Sequence, residues 1–285
     1  MSIKSFFKFL PDKQYLQLYY FAKFKKPLNL KSPKTFNEKL QWLKLNDRKD
    51  IYTIMVDKYE AKKVVANIIG EEYIIPTLGV WDSFDEIDFD TLPDQFVLKC
   101  THDSGGLVIC RDKSKLDKVE TRKILEKSLK NEYFYMAREW PYKNVKPRII
   151  AEQYMQDETQ INGLFDYKFY CFDGEAKFLY VSKGLENHKT ARISFLNLDW
   201  TFAPFKRNDY KAFDSIPQKP KEFEKMVDFT KKLSKEIPFL RVDLYEIAGK
   251  VYFSELTFAP SGGMMLFEPE EWDYILGDWI KLPTR

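Results

Sequence analysis

The chain has 285 residues, 44% hydrophobic and 31% charged, enough apolar mass for one large domain or two small ones. Its 46 basic and 43 acidic residues leave a net charge of +3, too balanced for a nucleic-acid partner, and no apolar run approaches the roughly 20 residues that span a bilayer. Three cysteines without paired spacing and two histidines argue against a disulfide framework and a zinc site, and for reduced thiols in the cytoplasm.

In chain order, residues 1–11 are basic and aromatic. They lack the long apolar core of a signal peptide and read as a helix packed on the domain, with membrane-surface contact as the alternative. Residues 11–70 read as helical. Phe36, Leu40, Trp42 and Leu43 recur at helical spacing, and Thr35 is placed to cap them without a capping box. Asp57 stands as the N-cap of a further helix. Lys58 would then lie in its first turn, an unfavourable place for a cation against the helix dipole. It is either a solvated surface lysine or a residue kept for a ligand.

A short strand at 73–76 precedes Leu78-Gly-Val-Trp81. Residues 95–110 read as strand, loop and strand, with Lys99 ending the first strand and Gly105-Gly106 in the loop. Such a loop lets backbone N–H groups approach an anion, but an ordinary hairpin reads the same way. Neither GxxxxGK[ST] nor GxGxxG before a helix is present. Residues 113–135 predict one charged helix, amphipathic through Leu125, Leu129 and Phe134 and closed off by Pro141 and Pro147. Residues 148–155 are a strand, and 166–181 a hairpin about Asp173-Gly174. Residues 183–208 read as a long loop of the lid type. Helices are expected at 221–235 and near the end, within 264–282. The 16% aromatic content reads first as core.

Residues 241–261 predict two strands joined at Ala248-Gly249-Lys250. Asp243 and Glu255 can then lie on one face of the pair. Two acids aimed at one point suit a hard divalent ion such as Mg²⁺, although two solvated acids on a plain hairpin give the same pattern. The order of elements predicts an α+β protein, not a doubly wound sheet. Its expected units are a helical segment 1–70, a small unit 71–147 and a larger unit 148–285, divided near residues 141–147.

Lys58, Lys99 before Gly105-Gly106, Glu152-Gln-Tyr-Met155 and Asp243 with Glu255 occur together in one order. With Val56-Asp-Lys-Tyr59, Asp166-Tyr-Lys-Phe-Tyr170, Leu198-Asp-Trp200 and Arg241-Val-Asp243, they make the chain resemble the ATP-grasp superfamily. It looks closest to the TupA-like branch of teichuronopeptide and capsular polysaccharide biosynthesis proteins.

The resemblance implies a fold of two α+β subdomains clasping ATP, the unit 71–147 serving as the small lid and 148–285 as the large subdomain. It implies that Lys58 and Lys99 meet the phosphates and that the loop with His102, Ser104, Gly105 and Gly106 covers them. Glu152, Gln153, Tyr154 and Met155 would hold adenine, and Asp157 or Glu158 the ribose. Lys168 joins the nucleotide contacts in a role left open, as does Asp166. Asp243, Glu255 and Thr257 would hold Mg²⁺, with Thr257 where the superfamily has Asn. Arg241 and Lys99 would act on the reacting phosphoryl group.

The implied activity is an ADP-forming, Mg-ATP-dependent carboxylate–amine ligase acting through an acyl phosphate. Its partners would be a uronic-acid glycan or sugar precursor and an amino acid or amine. Its place would be the cytoplasm, with peripheral association to membrane glycan-assembly machinery left open. The competing readings are a sugar phosphotransferase on the same fold, a glycosyltransferase, and a binding module without activity.

Overall fold

The computed structural model describes residues 7–157, 160, 163–185 and 190–284. The described residues begin with four helices: α1 (Asp12–Phe24), α2 (Phe36–Asn46), α3 (Asp50–Val56) and α4 (Glu60–Ile69). The start of α2 is a capping box, contrary to expectation. Thr35 Oγ1 accepts from the Glu38 N–H at 3.1 Å, and Glu38 Oε2 accepts from the Thr35 N–H at 3.2 Å. Asp57 Oδ1 accepts from the N–H groups of Tyr59 and Glu60, so it caps α4 as expected, and Arg148 holds its other oxygen at 2.8 Å. Lys58 lies two residues before Glu60, the first residue of α4. Its N–H donates to Thr101 O at 3.1 Å and ties the helix start to the loop of the first sheet.

That sheet contains β1 (Thr77–Trp81), β2 (Phe96–Cys100), β3 (Leu107–Cys110) and β4 (Ile149–Gln153), in the antiparallel order β1-β4-β2-β3. Phe96, Leu98 and Cys100 face inward against Phe84, Phe89 and Leu125. Leu125 belongs to α5 (Lys118–Leu129). Period-two alternation places Val97, Lys99 and Glu152 on the opposite face.

One expectation changes here. The single helix of 113–135 is a short turn at Lys113–Lys115, α5, and a separate α6 (Phe134–Ala137). β4, which follows the division expected near 147, lies inside the first sheet, between β1 and β2. The prolines interrupt the chain, but Ile149, Ile150 and Ala151 are apolar enough to be buried from both sides, so the chain returns to the sheet it left.

The second sheet has β5 (Phe165–Phe172), β6 (Glu175–Lys183), β7 (Arg192–Asn197), β8 (Leu240–Ile247) and β9 (Lys250–Thr257), in the order β7-β6-β5-β8-β9. One face buries Phe169, Leu179, Val242 and Leu244 under α4 and α7 (Phe223–Leu233). The other packs Tyr170, Phe172, Phe178 and Phe195 against Phe36 of α2 and Leu276 of α8 (Glu271–Trp279). Phe36 meets Phe239 edge-on, ring centroids 4.9 Å apart, so the aromatics are core as expected. β7 occupies six residues within the long loop expected at 183–208, because Ile193 and Phe195 alternate onto the aromatic face. Residues 186–189 of that loop lie outside the described residues. Among the described residues, no helix is long and apolar enough to cross a membrane.

The β8–β9 turn is tighter than expected. Ile247 pairs with Lys250 across two residues, Ala248 and Gly249, with φ of 50° and 77°. Continued without interruption, this register would place Ser254 opposite Asp243 and turn Glu255 to the other face. A β-bulge after Leu244↔Phe253 shifts the pairing so that Asp243 faces Glu255.

Candidate functional site

On the open face of the first sheet, Glu152 is 5% exposed and holds two lysines. Its Oε1 is 2.6 Å from Lys62 Nζ, and its Oε2 is 2.5 Å from Lys99 Nζ. Lys62 also donates to Ile75 O at 2.7 Å and Thr77 Oγ1 at 2.9 Å. Burial raises the Glu152 carboxyl, but Lys99 and Lys62 outweigh it and hold the group below its ordinary range. At Lys62 burial wins, and the ammonium is pulled below its usual value despite Glu152. Sequence reasoning missed Lys62.

Asp103, also missed, organises the loop after β2. Its Oδ1 accepts from the Gly105 and Gly106 N–H groups at 3.2 and 3.3 Å. Its Oδ2 accepts from Ser128 Oγ at 2.6 Å and Asn131 Nδ2 at 3.3 Å. The two glycine amides therefore already close on a carboxylate, the kind of group an anion cradle binds. Gly106 is required by space: a Cβ there would lie 2.4 Å from Ser128 Oγ.

His102 turns away from the cleft. Its Nε2 donates to the Ser128 and Asn131 carbonyls, both at 3.1 Å, at the end of α5. Ser104 is exposed, with Oγ 3.4 Å from the Tyr133 hydroxyl. The Lys58 ammonium donates to Asp103 O. Burial lowers its pKa, Glu255 opposes that shift and Lys99 adds to it.

The second sheet contributes a charged cluster on the face that carries its aromatic core. Along β5, Phe172 and Tyr170 give way to Lys168 and Asp166. Asp243 is fully buried. It accepts from Arg241 Nε at 2.7 Å, Arg241 Nη2 at 2.6 Å and Lys168 Nζ at 2.5 Å. Arg241 also donates to Glu255 Oε1 at 2.8 Å, and Lys168 pairs with Asp166. Burial works against the Glu255 charge, but Lys168, Arg241 and Lys58 hold its carboxyl down to about 2. Lys58 thereby couples the two sheets. Thr257 pairs with Arg241 and shares its face.

Among the described residues, no three His, Cys, Asp or Glu side chains converge as a metal-ligand cluster. The charge nevertheless fits a further cation. Three carboxylates meet two directly paired cations, Arg241 and Lys168, and Asp166 Oδ1 is buried without a partner. Glu255, its side chain 39% exposed, is the accessible oxygen donor; Asp243 joins it only when Arg241 or Lys168 releases an oxygen.

The expected adenine linker follows β4. Gln153 is exposed, while Tyr154 and Met155 are half-buried. Arg111 Nε donates to the Tyr154 hydroxyl at 3.2 Å. The Glu152 side chain points to the lysines. Asp157 accepts from the Ala248 N–H at 2.9 Å and so touches the β8–β9 turn. Glu158 lies outside the described residues.

A family model described as TupA-like ATPgrasp matches residues 38–281. Among solved structures, the chain is similar to a D-alanine–D-alanine ligase from Bacillus anthracis complexed with ATP, at 16% identity and a TM-score of 0.44, over 80% of this chain and 63% of that one. It is similar to a D-alanine–D-alanine ligase from Helicobacter pylori at 17% identity and a TM-score of 0.47, over 88% of this chain and 70% of that one. It is also similar to a RimK domain ATP-grasp protein from Sphaerobacter thermophilus, at 10% identity and a TM-score of 0.41, over 80% and 69%. The chain thus spans less than two thirds of the Bacillus anthracis ligase. No curated protein matches it. The family match takes in both sheets, the lysines, Glu152 and the acidic hairpin, and by it the chain belongs to the TupA-like ATP-grasp family, with an α+β fold.

Proposed function

We propose that the chain is an ADP-forming, Mg-ATP-dependent carboxylate–amine ligase. The observation that carries this reading is a pair of charged clusters, Lys58, Lys62, Lys99 and Glu152 on one and Arg241, Asp243 and Glu255 on the other, linked by the charge of Lys58 acting on Glu255. Lys58 is within electrostatic reach of Glu255. A polyphosphate between them would meet cations from both sheets.

Mg²⁺, held by Glu255 and Asp243 with Thr257 nearby, would neutralise phosphate oxygens. The chain's own residues do the rest by position and charge. Lys58 and Lys99 hold the phosphates. Glu152 fixes Lys99 at one point, and its side chain serves this clamp. Adenine is left to the backbone of residues 153–155. The Gly105-Gly106 loop shields the reacting group from water, its amides exchanging the Asp103 carboxylate for phosphate oxygens. Arg241 lies beside the acids, where it can stabilise charge on a transferred phosphoryl group. The family suggests a uronic acid of a surface glycan, or its precursor, as the carboxylate. An amino acid or amine is then the acceptor, and a place beside membrane-bound glycan assembly suits such a substrate.

The test is to incubate the chain with Mg-ATP, uronic acids and hydroxylamine. ADP with an acyl hydroxamate is expected. AMP as product would overturn the acyl-phosphate route, a stable phosphorylated sugar would identify a phosphotransferase, and nucleotide-sugar turnover without ATP a glycosyltransferase. Asp243→Asn and Glu255→Gln are each expected to abolish turnover; near-normal activity in both would sink the metal assignment.

A further inference from the structure

Glu139 is a largely buried carboxylate without a protein partner among the described residues, its oxygens still open to a small ligand. It lies between α6 and the short turn Trp140–Tyr142, and it is 6% exposed. Among the described residues its carboxylate has no hydrogen bond and no ion pair. Such a group is costly to retain without a partner.

Its neighbours hold it in place without satisfying it. Arg138, almost wholly buried, donates to Phe7 O at 2.9 Å and anchors the backbone on one side. Pro141 is buried on the other. Lys44 is the strongest cation acting on Glu139, but its three ammonium hydrogens go elsewhere. They reach Gln41 Oε1 at 2.9 Å, Ala137 O at 2.9 Å and Gly262 O at 2.6 Å. Arg241 also acts on Glu139, more weakly than Lys44, through its charge. Neither Glu139 oxygen is sealed off, in contrast to Asp166 Oδ1.

An aromatic wall joins this carboxylate to the phosphate loop. Tyr133 and Tyr142, both half-buried, meet edge-on with centroids 4.8 Å apart. The Tyr133 hydroxyl is 3.4 Å from Ser104 Oγ, and both tyrosines lie within the electrostatic reach of Glu139 and Glu255.

We propose that Glu139 binds the amino group of the second substrate, a primary amine carried as an ammonium ion, with Tyr133 and Tyr142 flanking its body. An ammonium supplies what the carboxylate lacks, N–H donors and an opposite charge. This assignment rests on the ligase reading. In that reaction the ammonium gives one proton to a Glu139 oxygen and becomes a nucleophile. The nitrogen then forms a bond to the acyl carbon, the bond from that carbon to the phosphate oxygen breaks with its electron pair, and the second proton leaves with phosphate.

The test is saturation-transfer NMR on the full chain with Mg-ADP. The panel is the free amino acids, glucosamine and their N-acetylated counterparts. At least one free amine is expected to bind and its N-acetyl form not to bind. Glu139→Gln is expected to weaken that amine at least tenfold, and Glu139→Asp, which keeps the charge, to weaken it less and to cover a folding defect in the first variant. No bound amine in the wild type, or equal binding by Glu139→Gln, overturns the assignment. A fluorescent ATP analogue added to the same samples separates the two ideas: failure to bind it at all is a failure of the ligase reading, whatever Glu139 does.

Discussion

Replacing Glu152 by Gln tests whether its side chain is a structural clamp or a nucleotide contact. Both carboxylate oxygens are engaged, at 2.6 Å to Lys62 and 2.5 Å to Lys99. The neutral amide would leave two ammonium groups facing each other with no counter-charge. Removing one partner of a buried ion pair costs about 3–5 kcal/mol. Lys99 is partly exposed, and burial already outweighs pairing at Lys62, so the lower end applies, about 3 kcal/mol. For a chain of this size that corresponds to a fall in Tm of roughly 6–12 °C.

The assay is thermal and urea unfolding of the nucleotide-free protein at neutral pH. The pH dependence gives a second reading. The folded Glu152 carboxyl lies below its ordinary value, so its contribution is present above the ordinary glutamate range and is lost as pH falls through the lowered value. Wild type should lose this component on acidification, and Glu152→Gln should lack it. A variant with wild-type Tm and lost ATP binding would refute the clamp and make the side chain a nucleotide contact.

Three further outcomes follow from the same structure. Glu139 behaves oppositely: burial raises its carboxyl to about 7, against Lys44 and Arg241, so the folded state loses stability as pH rises from the ordinary glutamate range to about 7. Without amine present, Glu139→Gln should therefore exceed wild type by up to roughly 3 kcal/mol at pH 8 and match it at pH 4, by urea unfolding; equal stability at both pH values would refute the uncompensated charge. Gly106→Ala should cost about 1–3 kcal/mol and weaken ATP binding, because the new Cβ would sit 2.4 Å from Ser128 Oγ and 2.9 Å from Cys100 Sγ; an unchanged unfolding midpoint would show that the loop can shift freely. Cys100, Cys110 and Cys171 are buried free thiols, and burial pushes Cys100 up to about 11 and Cys171 to about 12. A thiol reagent at neutral pH should label all three only after unfolding, and rapid labelling of any of them in the native protein would contradict that burial.

Much of the site was legible because its residues lie in short motifs with local causes. Asp57 caps a helix, so Lys58 follows at its start. Lys99 ends a strand before two glycines, and strand alternation then fixes the face it shares with Glu152. Lys62 and Asp103 were not legible in this way, since both act through partners far along the chain. Lys62 reads as one more surface lysine until β4 brings Glu152 over it. Asp103 reads as a loop residue until α5 supplies Ser128. His102, expected to face the phosphates, is drawn inward by two carbonyls at the end of α5. The place of β4 between β1 and β2 was hidden for a similar reason. Proline marks an interruption in the chain, but which sheet receives the next strand depends on an edge formed by residues much earlier.

The sequence by itself determined the α+β class, the positions of the lysines, the Glu152 strand and the placing of Asp243 and Glu255 on one hairpin. Those follow from alternation, turn chemistry and motif order. The pairing of Asp243 with Glu255 was a matter for the folded sheet. Ala248 and Gly249 make a two-residue turn, whose register alone would send Glu255 to the opposite face, and the bulge at Ser254 brings it back. A bulge costs a ladder hydrogen bond, and it persists because Phe253 and Leu256 must both reach the core while Glu255 meets Arg241. Only tertiary structure decided as well that Arg241 and Lys168 occupy Asp243, and that Glu139, far off in sequence, lies within reach of Arg241. Those outcomes depend on which buried charges can share a small volume, a balance that no local pattern encodes.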